Sequence, residues 1–181
     1  MQFKQTNLSG AYLIELERHS DERGFFARTF CRNELSALSL ETTVEQCSTS
    51  FNSRRGTLRG MHFQTEPHEE VKLVRCTRGS IFDVIIDLRP DSPTVGQHFA
   101  ATLSPDNGQQ LYIPRGFAHG FLTLEDNTEV FYQISNAYAP QAGRGVRWND
   151  PAFSIPWPAE VLVISERDRA YPDFSVSVTS R

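Results

Sequence analysis

Methionine and cysteine are scarce in this chain of 181 residues, at two and three copies. So few methionines leave no soft, sulfur-lined surface of the adaptable kind. Cys31, Cys47 and Cys76 are an odd set without CxxC spacing, and they read as free thiols in a reducing compartment. No apolar run approaches the roughly 18 residues that a membrane span requires. The first ten residues, MQFKQTNLSG, lack the apolar core of a secretory signal. An excess of positive charge is also missing: 18 Lys and Arg stand against 22 Asp and Glu, a net charge of −4. That balance argues against nucleic acid as a partner. There is no internal repeat, low-complexity tract or linker. Together these absences predict a cytoplasmic protein with no membrane association, folded as a single domain over residues 1–181, a length that buries a core without staples.

What the chain has is aromatic residues and short alternating runs. Thirteen phenylalanines predict a well-filled aromatic interior. Alternation over Val71–Cys76 places Lys72, Val74 and Cys76 on one face. Ile81–Leu88 puts Phe82, Val84, Ile86 and Leu88 together, with Asp83 and Asp87 opposite, and Thr128–Ser135 aligns Val130, Tyr132 and Ile134. Gly79 and Ser80 predict a hairpin turn, and the segments 89–93 and 104–108 are turn clusters. Closely spaced strands with few helices predict a mainly β, double-sheet barrel of the jelly-roll kind. One short helix is expected near Arg32–Ser39. From about Pro151 a proline-rich tail is expected to wrap over the barrel, with a brief helix or turn near Ser165–Ala170.

Two half-motifs carry chemistry. Gly108, Pro114, Gly116 and His119 have the spacing of the second signature of cupins, a superfamily of small double-sheet barrels. Gly56, His62, Gln64, Lys72 and Gly79 resemble the first signature with altered residues. The four metal-ligand places would then hold His62, Gln64, Lys72 and His119. An amide and an ammonium are poor partners for a dication, so no metal is expected, and proton transfer is the better fit.

The words DERGFF (21–26), GTLRGMHFQ (56–64), KLV (72–74), YIPRGFAHGF (112–121), RWNDP (147–151) and SERD (165–168) follow in order over residues 10 to 173. This pattern resembles the dTDP-4-dehydrorhamnose 3,5-epimerase family of nucleotide-sugar enzymes. The resemblance implies a cupin-type jelly roll that forms a homodimer and uses no cofactor. It implies epimerisation at C3 and C5 of a nucleotide-diphosphate 4-keto-6-deoxy sugar, by proton abstraction and reprotonation.

By the same resemblance His62 is the base, oriented by Asp168. An imidazole ordinarily titrates near about 6.5, and a positioned base gives about 10²–10⁴-fold acceleration. Asp83 is a second candidate partner for His62, but its parity sets it opposite Phe82 and Val84. Lys72 carries over as the charge that stabilises the enolate oxygen, and Tyr132 as the proton donor, a phenol whose pKa a nearby lysine would lower. Arg23 and Arg59 carry over as phosphate ligands, Tyr138 as the aromatic that stacks on the base, and Phe26 as a nucleoside contact. His119 adds a hydrogen bond to sugar or phosphate, and Arg167 stands where the family often has lysine.

The chain also departs from the pattern. Arg28 replaces a common Glu, Gln46-Cys47-Ser48 replaces a Gln-Asp-Asn word, and Gln141, Ala142 and Gly143 stand where a Glu often follows the Pro140 turn. Arg28, Gln46 and Ser48 are kept as substrate-binding positions, and the choice among thymidine, guanosine and cytidine stays open. The rivals are a single-carbon epimerase, a non-catalytic sugar-nucleotide-binding cupin and a metal-dependent cupin oxygenase. Arg54, Arg55 and the segment 144–147 read as solvated turns, and His19, His68 and His98 as surface residues. Arg59 and His62 differ by three, so a regular strand would point them apart; a bulge at Gly60 would reconcile them.

Overall fold

The computed structural model describes residues 1–174. Its strands are β1 (Gln2–Gln5), β2 (Tyr12–Glu15), β3 (Arg18–Asp21), β4 (Gly24–Ala27), β5 (Gln46–Asn52), β6 (Thr57–Gln64), β7 (Lys72–Arg78), β8 (Ile81–Asp87), β9 (His98–Leu103), β10 (Gln109–Ile113), β11 (Phe117–Thr123), β12 (Thr128–Ile134), β13 (Gly143–Gly145) and β14 (Val163–Ile164). Helix α1 (Arg32–Ser36) and helix α2 (Glu166–Arg169) are both short. The expected helix near Arg32 and the late helical turn are therefore present, but the hairpin expected at Gly79 and Ser80 is not: the chain turns there from β7 in one sheet to β8 in the other, and the two strands do not pair. No helix among the described residues is long and apolar enough to cross a membrane.

Two sheets make the body. One runs β1-β2-β10-β7-β12-β5, and the other β13-β6-β11-β8-β9, with β14 added in parallel to β6. A separate hairpin joins β3 to β4. Between the sheets lies a core drawn from both, including Val74, Cys76, Ile81, Ile85, Leu111, Ile113, Phe117, Phe121 and Val130. Phe121 is among the largest fully buried side chains, and burying such a ring stabilises by about 1.5–3 kcal/mol. This is the jelly-roll double-sheet barrel that the strand spacing predicts.

The outer faces are covered too. Ile14, Leu35, Leu73 and Tyr112 pack beneath α1 and the N-terminal strand on one side. On the other, Met61, Phe63, Val84, Ile86 and Leu88 pack against Val146, Phe153, Ile155, Trp157 and Phe174 of the wrapping segment. This cover corrects the reading of β8. Phe82, Val84 and Ile86 do share a face, but it meets the wrap, while Ile81, Asp83 and Ile85 face the barrel interior. A strand buried on both faces offers two apolar stripes, and alternation alone does not say which one is inside.

The bulge expected at Gly60 is present. His119 pairs with His62 and Phe121 with Arg59, so Gly60 and Met61 of β6 oppose Gly120 alone. Gly60 has φ +148°, and a Cβ there would lie 2.6 Å from the Gly120 Cα. Only glycines let the two backbones approach so closely. The extra residue turns Arg59 and His62 to the same side.

Candidate active site

A cavity of about 380 Å³ opens between the sheets at one end of the barrel. Strand β6 supplies Arg59, His62 and Gln64; β11 supplies His119; β7 supplies Lys72; β12 supplies Tyr132 and Ile134. Gln46, Ser48 and Ser50 come from β5, Glu70 from the turn before β7, Tyr138, Gly143 and Arg144 from the segment after β12, and Arg167 from α2. A larger groove of about 910 Å³ lies elsewhere, around Arg89, Pro90 and Arg115, and shares only Phe63 and Gln64 with this cavity. It contains none of the proton-transfer residues.

His62 Nε2 lies 2.7 Å from Asp168 Oδ1. The other carboxylate oxygen of Asp168 accepts the Gly60 N–H at 3.3 Å, and Ser165 caps α2 by accepting the Asp168 N–H at 3.0 Å. Burial pushes the Asp168 carboxyl up, but the His62 ring, then the Gly60 N–H and Ser165, outweigh it and hold the group below its usual value. An ionised carboxylate only accepts, so the proton of the neutral imidazole sits on Nε2 and the lone pair on Nδ1. The His62 ring also meets Tyr171 edge-on at 6.0 Å.

His119 forms a second pair, its Nε2 2.8 Å from Asp83 Oδ1. Asp83 is therefore not the partner of His62. Its other oxygen, Oδ2, is buried without a hydrogen bond among the described residues. The His119 ring stands edge-on to Tyr132 at 6.0 Å. Burial pushes the Tyr132 phenol well above its ordinary value, the Asp83 charge adds to this, and Arg59 opposes it. The expectation that a lysine lowers this phenol is thus overturned: desolvation dominates, and the opposing cation is Arg59.

Lys72 Nζ pairs with Glu70 Oε1 at 2.9 Å, both side chains being 10% exposed. Arg59 donates to Asn52 Oδ1 at 2.7 Å, and the Tyr138 N–H to Gln46 Oε1 at 2.9 Å. A hydrogen bond with Tyr138, and then the nearby Tyr171, hold the Arg167 guanidinium above its usual pKa. Among the described residues no group of three or more His, Cys, Asp and Glu is arranged to hold a metal ion. The Nε2 atoms of both cavity histidines already face carboxylates.

Ten of the thirteen residues chosen from the sequence come together here: nine line the cavity, and Asp168 stands behind His62. Arg23, Phe26 and Arg28 do not. Arg23 is 84% exposed and ion-paired with Asp21; Phe26 is 75% exposed; Arg28 pairs with Glu34 at 3.0 Å. Sequence reasoning missed Glu70 and Arg144 as parts of the site, and it weighed Asp83 only as a partner of His62, not of His119. Arg144, read as a solvated turn, lines the cavity while donating to the Gln141 and Gly143 carbonyls. Its neighbour Arg147 pairs instead with Asp173 at 2.6 Å.

The family profile described as dTDP-4-dehydrorhamnose 3,5-epimerase matches residues 5–175. The protein of that name from Methanothermobacter thermautotrophicus is 45% identical over 92% of this chain and 91% of its own. The one from Sinorhizobium fredii is 40% identical over 95% of this chain and 89% of its own. A crystal structure of the Bacillus anthracis protein of that name, with TDP and PPi bound, superposes with a TM-score of 0.92 at 40% identity, covering 96% of this chain and 99% of that one.

Proposed function

The chain belongs to the dTDP-4-dehydrorhamnose 3,5-epimerase family, and from that premise we propose how its residues invert C3 and C5 of dTDP-4-dehydro-6-deoxyglucose to give dTDP-4-dehydrorhamnose. One observation carries the reading: His62 with its carboxylate and the part-buried phenol of Tyr132 belong to facing sheets and line one cavity. Inverting a carbon beside a ketone needs a base on one face and an acid on the other. His62 Nδ1 takes the α-proton while Asp168 steadies the imidazolium. The Lys72 ammonium stabilises the negative oxygen of the enolate as it forms. Tyr132 returns a proton from the opposite wall, and its raised pKa keeps the phenol protonated between turnovers. Arg59, Arg144 and Arg167 gather cations at the cavity for the diphosphate, and the half-exposed Tyr138 offers its ring to the thymine. His119, Gln46 and Ser48 complete the substrate contacts.

The reading includes a homodimer. The β3–β4 hairpin is anchored through Arg18, which donates to the Pro105 and Asp106 carbonyls, and it presents Phe25, Phe26 and Arg23 outward. Two exposed aromatics beside a cation suit the open mouth of a second copy's cavity, where they would meet the nucleotide, with Arg28 following at the rim. Residues 1–181 act as one domain, consistent with a profile match spanning 5–175. A cytoplasmic setting suits the three free thiols, of which the buried Cys76 is pushed up to about 11 by desolvation and is inert.

Incubation in D₂O with dTDP-4-dehydro-6-deoxyglucose, read by NMR, tests the scheme. Deuterium is expected at both C3 and C5. Tyr132→Phe should keep exchange better than inversion, since abstraction does not need the phenol. No exchange at either carbon would overturn the reaction, and exchange at one carbon alone would reduce it to a mono-epimerase. An active dimer reconstituted from Arg23→Ala and His62→Ala chains, each inactive alone, is expected if the hairpin completes the partner's site.

A further inference from the structure

Glu70 has no part in the scheme above, yet it sits in the cavity wall with nine-tenths of its side chain buried. Both of its oxygens are used. Oε1 takes the Lys72 ammonium at 2.9 Å, and Oε2 accepts the Gln64 side-chain amide at 2.7 Å. Gln64 occupies a ligand place of the altered cupin signature and has no role in proton transfer. Its amide nitrogen also reaches the His68 and Ala137 carbonyls, and its Oε1 accepts the Ala139 N–H at 2.7 Å. These last contacts bracket Tyr138. One short chain of hydrogen bonds thus runs from the ammonium of Lys72 through Glu70 and Gln64 to the loop that carries Tyr138.

We propose that Glu70 is a positioning residue for Lys72, and that with Gln64 it ties the placement of that ammonium to the loop that carries Tyr138. The proposal rests on the reading of Lys72 as the stabiliser of the enolate oxygen. A lysine ammonium ends a flexible four-carbon stem and is a point charge without preferred geometry. Stabilising a developing oxyanion requires that charge to be in place beforehand, since reorganisation during the reaction forfeits the advantage. A buried acceptor locked by a second hydrogen bond supplies that order. The contribution appears in the transition state, because the enolate charge is absent from the bound ketone.

Three variants, assayed for deuterium exchange at C3 of dTDP-4-dehydro-6-deoxyglucose, decide the matter. Glu70→Ala is expected to lower kcat by at least tenfold with KM changed less than threefold. Glu70→Gln, which keeps an oxygen acceptor, is expected to stay within threefold of the parent. Lys72→Ala should lose at least as much as Glu70→Ala. Parental kinetics for Glu70→Ala beside a crippled Lys72→Ala would overturn the role of Glu70 and leave that of Lys72 standing. An unimpaired Lys72→Ala would instead remove the reading beneath it. A loss carried by KM alone, or a Glu70→Gln as poor as Glu70→Ala, would also overturn the positioning account. Unchanged dTDP affinity and thermal midpoint in Glu70→Ala separate the effect from misfolding.

Discussion

Two histidine–aspartate pairs face each other across a single register position, and they are built differently. His62 and His119 are cross-strand partners, and their Nε2–carboxylate distances are 2.7 and 2.8 Å. The His62 side chain is 42% exposed and that of His119 only 5%. Asp83 reaches His119 from the adjacent strand β8, 36 residues away, as part of ordinary sheet pairing. Asp168 reaches His62 across 106 residues, carried by α2 after β14 has docked beside β6. On the proposed scheme the same two side chains serve different ends. An accessible ring with an oriented lone pair can take a proton from a ligand, whereas a sealed ring is a fixed wall that offers a hydrogen bond.

The strongest way to break this contrast is to remove each ring. His62→Ala is expected to slow exchange at C3 and C5 by about 10²–10⁴-fold, the range for a lost general base. His119→Ala should cost under about tenfold, chiefly in KM, as the loss of a binding contact. Equal losses in the NMR assay would mean that both pairs do chemistry.

The carboxylates sharpen the contrast further. Asp168→Asn should lower kcat by about 10²-fold with a fall in thermal midpoint smaller than that of Asp83→Ala, because the amide can donate to Nε2 and favour the wrong tautomer. Asp83→Ala should act the other way. It leaves a buried imidazole without its partner, costs about 1–3 kcal/mol of stability, and lowers the midpoint by several degrees. Calorimetry and single-turnover kinetics on the two variants should give opposite rankings.

The smallest effect is on acid stability. The folded-state pKa of Asp168 is depressed, so its contribution is present above the ordinary carboxylate range near about 4 and is lost as pH falls through the lower folded value. Asp87 has the same sign: burial raises it, but hydrogen bonds from Arg89, Ser92 and Thr94 outweigh that. The difference between parent and Asp168→Asn unfolding curves from pH 6 to pH 2 therefore isolates the Asp168 share, and it should shrink towards the acid end.

These pairs also mark how far the sequence could be read. His62, Lys72, His119 and Asp168 were legible because they stand inside distinctive words, and strand alternation placed Lys72 and Tyr132 on interior faces. The bulge at Gly60 was legible because Arg59 and His62 could share a site in no other way. The orientation of Asp83 was not, since β8 is apolar on both faces and the cover from Phe153 and Trp157 comes from distant sequence. Glu70 was hidden by its position in a turn, where alternation carries no information. Arg23, Phe26 and Arg28 were found by resemblance, yet the single chain leaves them outside the cavity, on or just after the outward-facing β3–β4 hairpin.

The late origin of Asp168 has a consequence for the order of synthesis. Every strand that holds His62, Lys72, His119 and Tyr132 emerges from the ribosome before residue 135, and those strands make the barrel. The carboxylate that fixes the tautomer of the base comes later, with β14 and α2. A barrel that forms during translation thus holds the acid and the cation but no oriented base. On the proposed roles it would turn over no faster than the Asp168→Asn variant until the C-terminal wrap closes over it.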